Sequence, residues 1–202
     1  MGTRGALGFI RNGEHKVTYN HYDSYPSELG KNVILYLENR GRDLKNLNED
    51  FDAITMVNED DTPTTVQKQL CKDNGLFDDG VATQSDDDWY CLLREGQGLL
   101  ESNVKVGFMI DSEEFLSNSL FCEYAYIINL DTERLEFYTG FEKDKINGRY
   151  SDAEKDSQGY GGVHLIGEFP IESVTMEDYD KAQTAIENGE NLAAIFEIEM
   201  ED

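Results

Sequence analysis

His21, Asp23 and Tyr25 alternate along one short segment, and Thr3 and Arg4 sit just ahead of it in the chain. Residues two apart on an extended strand point to the same face, so His21 and Asp23 could share a proton or hold a ligand with Arg4. Tyr25 joins that face if the strand continues. Thr3 adds a hydroxyl of the kind that serves as a nucleophile when a base stands beside it. A structural use competes with the chemical one. Asp23 or Ser24 can cap a helix that begins at Pro26, and Arg4 can be a buried partner for Asp23. Thr3, Arg4, His21, Asp23 and Tyr25 are therefore the candidate set for a small hydrolase or a nucleotide-ligand binder.

A second set of residues is defined by charge. Among 202 residues, 42 are Asp or Glu and 17 are Lys or Arg, a formal net charge of -25. Residues 1–50 hold 7 basic and 7 acidic side chains, so the whole excess falls after residue 50. Its clusters are Glu59-Asp60-Asp61, Asp78-Asp79, Asp86-Asp87-Asp88, Glu113-Glu114 and a tail with Glu197, Glu199, Glu201 and Asp202. Such a field repels nucleic acid and anionic membranes. It can be a solvated surface, or it can imitate a phosphate backbone and fill the basic channel of a partner. Calcium is a third use, but no run has the spacing, glycine and terminal Glu of an EF-hand loop.

The three cysteines, Cys71, Cys91 and Cys122, are widely spaced and odd in number, which suits reduced thiols in a reducing compartment. Cys91 and Cys122 lie in apolar-aromatic runs and read as small core residues. His15, His21 and His164 form no pair at ligand spacing, so no structural zinc site is expected. Gly161-Gly162 and Gly96-x-Gly98 fit no phosphate-loop pattern, and no cofactor is expected. The start of the chain lacks a basic segment followed by an apolar one, and no apolar run has the length of a span. A soluble, cytoplasmic chain is the expectation.

The elements that must position these residues follow from periodicity. Asn12-Gly13 between strand-like runs at 3–11 and 15–22 predicts a hairpin. Pro26 opens a predicted helix whose Leu29, Val33, Ile34 and Leu37 share a face, stopped at Gly41 with Arg40 and Arg42 at its negative end. Helices are predicted around Leu44, Leu47, Phe51 and Ile54, over 64–72 after Thr62-Pro63, and briefly over 89–94. Residues 72–88 read as loop. Strands at 122–130 and 134–140 flank a tight turn at Asp131-Thr132-Glu133, and another strand covers 163–169 after a polar, glycine-rich loop. A last helix over 175–188 carries Thr175 with Asp178 at its start, sets Tyr179, Ala182 and Ile186 on one face and stops at Gly189. Together these predict one α+β domain over residues 1–202, its mostly antiparallel sheet built from hairpins with helices packed on its faces.

Met1-Gly2-Thr3-Arg4-Gly5 and Asn20-His21-Tyr22-Asp23-Ser24-Tyr25-Pro26 resemble an uncharacterised family of phage and bacterial proteins. That family has a Gly- or Ser-Thr-Arg start and a His-aromatic-Asp-Gly-Tyr-Pro block. Ser24 stands where the family's glycine would be. The runs 124–131 and 135–140 look like the family's second hairpin. The resemblance implies a phage-type origin and an architecture similar to N-terminal-nucleophile hydrolases, in which the first side chain attacks and the free amine is the base. Gly2 has no side chain, so that chemistry would need Thr3 exposed by a second cut. The leading expectation is thus an acidic interaction protein of phage type. It would inhibit a host nucleic-acid-binding protein, such as a defence nuclease, a CRISPR-type effector or a polymerase, by occupying its basic surface. Its expected contacts are the clusters at residues 59–114, with neither nucleic acid nor membrane as a direct partner.

Overall fold

The computed structural model describes residues 2–77, 84–143 and 147–188, and the side chains of 182, 183 and 185–187 are not described. Asp78, Asp79, Gly189 and the acidic tail lie outside these residues, as does the expected placement of Ala182 and Ile186. The chain is α+β, with strands β1 (Gly5–Arg11), β2 (Glu14–Asn20), β3 (Thr55–Val57), β4 (Phe108–Ile110), β5 (Tyr124–Asn129), β6 (Arg134–Thr139) and β7 (His164–Pro170). Its helices are α1 (Lys31–Asn39), α2 (Leu44–Ala53), α3 (Thr65–Asp73), α4 (Trp89–Leu92), α5 (Leu100–Val106) and α6 (Met176–Glu187).

The five-stranded sheet has the order β2-β1-β5-β6-β7, antiparallel except where β1 and β5 run parallel. Asn12 and Gly13 both take positive φ, at 52° and 76°, which is the turn geometry that suits the twist of a two-residue hairpin. Side-chain alternation sorts the sheet into two buried faces. Leu7, Phe9, Tyr126, Ile128 and Phe137 face one core with Val33, Leu37, Leu47 and Phe51 of α1 and α2. Ala6, Ile10, Val17, Ala125, Ile127 and Tyr138 face the other, with Leu116, Tyr150 and Val163. A third cluster, Cys71, Leu76, Trp89, Leu92, Val106 and Ile110, forms within the segment between α2 and β5. That segment also holds the small parallel pair β3–β4, and β4 leads into Ser112, whose N–H donates to Val17 O on edge strand β2.

Several elements differ from their sequence expectation for local reasons. The stretch after Pro26 is a π-turn over Pro26–Gly30 before α1 begins, so α1 starts later than the proline implies. Arg40 does not serve the end of α1. It grips buried Asp50 through Nε at 2.6 Å and Nη2 at 2.8 Å, and Tyr36 Oη donates to the same carboxylate at 2.5 Å. Arg42 reaches across to Ile171 O and Val174 O, both at 2.7 Å, and ties α1 to the chain beyond β7. The helix over 89–94 is shorter than expected, ending at Leu92 and continuing as a 3-10 turn over Arg94–Gly96. The short pieces β3, β4 and α5 were not anticipated from pattern, because three residues in each strand, and the two turns of α5, carry too little period to read. The predicted cap at Thr175 forms, and an unpredicted capping box opens α3. Thr64 and Gln67 exchange contacts at the start of α3, and Thr175 and Asp178 at the start of α6. Among the described residues no helix is long and apolar enough to cross a membrane.

Candidate functional site

A cavity of about 610 Å³ opens between edge strand β2 and the segment that runs from β3 to β5. This is the size range of small-molecule sites. Arg4 comes from the lead into β1, Thr18 and Tyr19 from β2, Tyr90 and Leu93 from α4 and its end, and Phe115 from the 3-10 turn over Glu113–Ser117. Phe121, Gln97, Asn103 and Asn118 complete the wall, and Glu59, Asp111 and Glu114 bring carboxylates to it. The neutral first quarter of the chain thus meets the acidic remainder here.

Arg4 decides the electrostatics. Its guanidinium lies 4.7 Å from the centre of the Phe121 ring and forms no ion pair among the described residues. In a chain with 42 acidic and 17 basic side chains, a cation left unpaired on a cavity wall is informative. Its backbone is held in place, with Arg4 N donating to Glu123 Oε1 at 3.2 Å and Glu123 N to Arg4 O at 3.0 Å. Tyr19 stands edge-on to Phe115 at 5.0 Å, and its hydroxyl is 2.7 Å from His21 Nδ1. Burial pushes the Tyr19 phenol above its ordinary value, so it stays protonated at neutral pH. The His21 ring is packed by Tyr22 and Tyr90 at 4.4 and 6.5 Å, and the His21 backbone N–H donates to Gln97 Oε1. The wall can therefore stack a planar group and hold one anionic group, with the Tyr19 hydroxyl hydrogen-bonded to His21 behind it.

The five residues singled out at the start of the chain do not converge. β2 ends at Asn20, because the Asn20 amide bonds to Tyr22 O and to Ser24 Oγ and folds the chain back. Asp23 takes φ 50° in the turn that results, exposed, with its carbonyl accepting from Leu29 N. The shared face expected of His21, Asp23 and Tyr25 is overturned by that turn. Asp23 is no partner of Arg4, and Tyr25 is 46% exposed with its ring 6.0 Å from Tyr124. Thr3 is buried, its carbonyl accepting from Ser24 N at 3.1 Å. His21 and Arg4 alone reach the cavity region, His21 from behind Tyr19.

The acidic clusters divide in the same way. Asp86 and Asp87 are engaged by Lys68, Asp86 also by Lys72 at 2.7 Å, and Asp88 caps α4 by accepting from Cys91 N at 2.9 Å. Lysine holds the Asp86 carboxyl below its ordinary value. Glu113 stands beside His15. Glu59 and Glu114, far apart in sequence, line the same cavity, with Asp60 and Asp61 exposed next to Glu59. Cys71 and Cys122 are fully buried, which pushes the Cys71 thiol up to about 11 and the Cys122 thiol higher still. Cys91 is only half-buried, less enclosed than its apolar neighbours imply. Among the described residues no three His, Cys, Asp or Glu side chains are grouped to hold a metal ion.

Tyr19, Tyr90, Phe115 and Phe121 were not foreseen as one wall, since they come from four elements with no common spacing. No family model, curated protein or solved structure matches the chain, so the site stands on its own geometry.

Proposed function

We propose that the protein binds a small planar ligand of nucleoside type, carrying at most one anionic group, in the cavity between β2 and the segment that covers it. The unpaired Arg4 on a ring-lined wall supports this reading most. Aromatic faces accept a base whatever its identity. Side-chain amides at Gln97, Asn103 and Asn118 can both donate and accept, and Glu59, Asp111 and Glu114 can accept from ring N–H, exocyclic amine or ribose hydroxyl groups. Three carboxylates around one arginine also disfavour ligands with several phosphates. Calorimetric titration with common nucleosides and their monophosphates tests the reading. Tyr90→Ala should weaken the bound ligand by about 10-fold, the loss of one base–ring stack. Arg4→Gln should weaken a monophosphate by about 10-fold or more while leaving its nucleoside nearly unchanged. No saturable heat from any of them at about millimolar concentration would overturn it.

One observation favours a second reading, the acidic competitor of a basic nucleic-acid-binding protein. Glu59 and Glu114 meet at one cavity mouth, and Asp60 and Asp61 extend the negative surface beside it. The lysine-neutralised Asp86 and Asp87 would contribute little there. In a salt-graded pull-down from nuclease-treated lysate, reversing Glu59, Asp60 and Asp61 to lysine should release a partner that reversing Asp86 and Asp87 leaves bound. Equal retention of that partner by both variants would remove this reading.

A further inference from the structure

A second cavity, about 420 Å³ in volume, lies on the far side of the 3-10 turn and is lined by His15, Glu113, Glu114, Ser117, Arg149 and Tyr150. Two ion pairs frame it. His15 Nδ1 is 2.6 Å from Glu113 Oε1, in contact but without the alignment of a hydrogen bond. Arg149 Nη2 donates to Glu136 Oε1 at 2.6 Å, and that carboxylate is 1% exposed, held further by Asn129 at 2.6 Å and Tyr138 at 2.5 Å. Arg149 is thus fixed from below, and its fork has more N–H donors than Glu136 takes. Tyr150 is 8% exposed, and its hydroxyl has no hydrogen-bond partner among the described residues. Burial and the carboxylates nearby push that phenol well above its ordinary value, so the hydroxyl keeps its proton. A buried polar group without a partner is rare in a folded protein and costs free energy unless something else satisfies it.

The Ser117 hydroxyl makes no hydrogen bond to His15, so these side chains are not an assembled Ser–His–Glu nucleophile. The arrangement is one of complementary charge. Glu136 balances Arg149, the remaining Arg149 donors and the Tyr150 hydroxyl await an acceptor, and Glu114 forms no ion pair among the described residues. An anion alone would meet Glu114, and a cation alone would leave Tyr150 unsatisfied. We infer that this cavity takes a small zwitterion of amino-acid type, its carboxylate on Arg149 and Tyr150 and its ammonium toward Glu114.

Ligand-observed NMR on the full chain tests the inference, using the free amino acids with propionate and ethylamine as half-ligands. At least one amino acid should bind saturably, and about 10-fold more tightly than either half-ligand. Tyr150→Phe should weaken that amino acid while leaving the thermal midpoint of the free protein unchanged or raised, since the lost hydroxyl had no partner. Glu114→Gln should bring the amino acid and propionate to similar affinities. Absence of saturable binding by every amino acid at about 10 mM, or equal binding of propionate by the unaltered protein, would overturn the inference. So would a Tyr150→Phe protein that binds as before. Glu114 borders both cavities, whereas Tyr150 lines only the second, so Tyr150→Phe, which should leave nucleoside binding unchanged, lets the two readings fail separately.

Discussion

Gly8→Ala is expected to lower the unfolding free energy by about 3 kcal/mol. Gly8 lies mid-strand in β1, paired with Val17 on one side and Ile127 on the other, so neither neighbour can move away freely. An added Cβ would stand 2.7 Å from Val17 Cα and well inside contact distance of Lys16 O. These are backbone atoms, so no rotamer change relieves the overlap. The only relief is for β2 to shift, and β2 is anchored through Lys16. Its ammonium donates to Phe51 O at 2.9 Å and Ile54 O at 2.7 Å, which satisfies carbonyls at the end of α2. Lys16 also lies 4.2 Å from the Phe51 ring centre. The clash therefore loosens the hairpin and α2 together, and with them Thr18 and Tyr19 of the first cavity. Gly41→Ala is the control. Gly41 has φ 67° with open space around it, so alanine there meets only backbone strain of about 1 kcal/mol. Urea unfolding of both variants checks the difference, and equal losses would show that β2 yields at little cost.

Local signals carried much of the architecture. Asn12-Gly13 marked its hairpin because only φ-tolerant residues make that turn, and Thr175 marked a helix start through a side-chain oxygen three residues from its target. The hairpin of β5 and β6 was legible from two aromatic, β-branched runs about a tight turn. What local signals could not carry was contact across the chain. The parallel join of β1 to β5 links residues more than a hundred positions apart, and neither strand's own pattern specifies the other. The first cavity depends on that join, because it sets Arg4 next to Phe121. The end of β2 misled for a different reason. His21-x-Asp23 reads as alternation only if the strand persists, and the side-chain amide of Asn20, immediately before His21, folds the chain into a turn that ends it. The acidic clusters could not be sorted from sequence, since charge density carries no information on which carboxylates a lysine already holds. Glu136 did leave a trace. It is the lone acidic residue in Arg134–Thr139, with Leu135 and Phe137 on the opposite face and Tyr138 on its own, so a strand buried on both faces must bury it.

That burial makes Arg149 the most consequential side chain outside the sheet. Arg149→Met is expected to destabilise the protein by about 3–5 kcal/mol, because it strands a carboxylate with only Asn129 and Tyr138 as donors. Glu136→Gln should cost less, about 1–3 kcal/mol. The Arg149 side chain is 32% exposed and can turn toward water when its partner is lost, whereas Glu136 cannot. The double change Glu136→Leu with Arg149→Met removes both charges, and its loss should fall below that of Arg149→Met alone. Burial of an ion pair is a poor source of net stability, because desolvation offsets most of the attraction. A double-mutant cycle by urea unfolding reads the coupling, and additivity within about 0.5 kcal/mol would show that the two groups act independently. A strongly coupled pair that adds little net stability is expected to persist for what it positions. Here that is a guanidinium at the wall of the second cavity, with an unsatisfied tyrosine hydroxyl beside it. The charge-free double variant should then fold and yet lose amino-acid binding, which separates the pair's part in binding from any part in holding the sheet together.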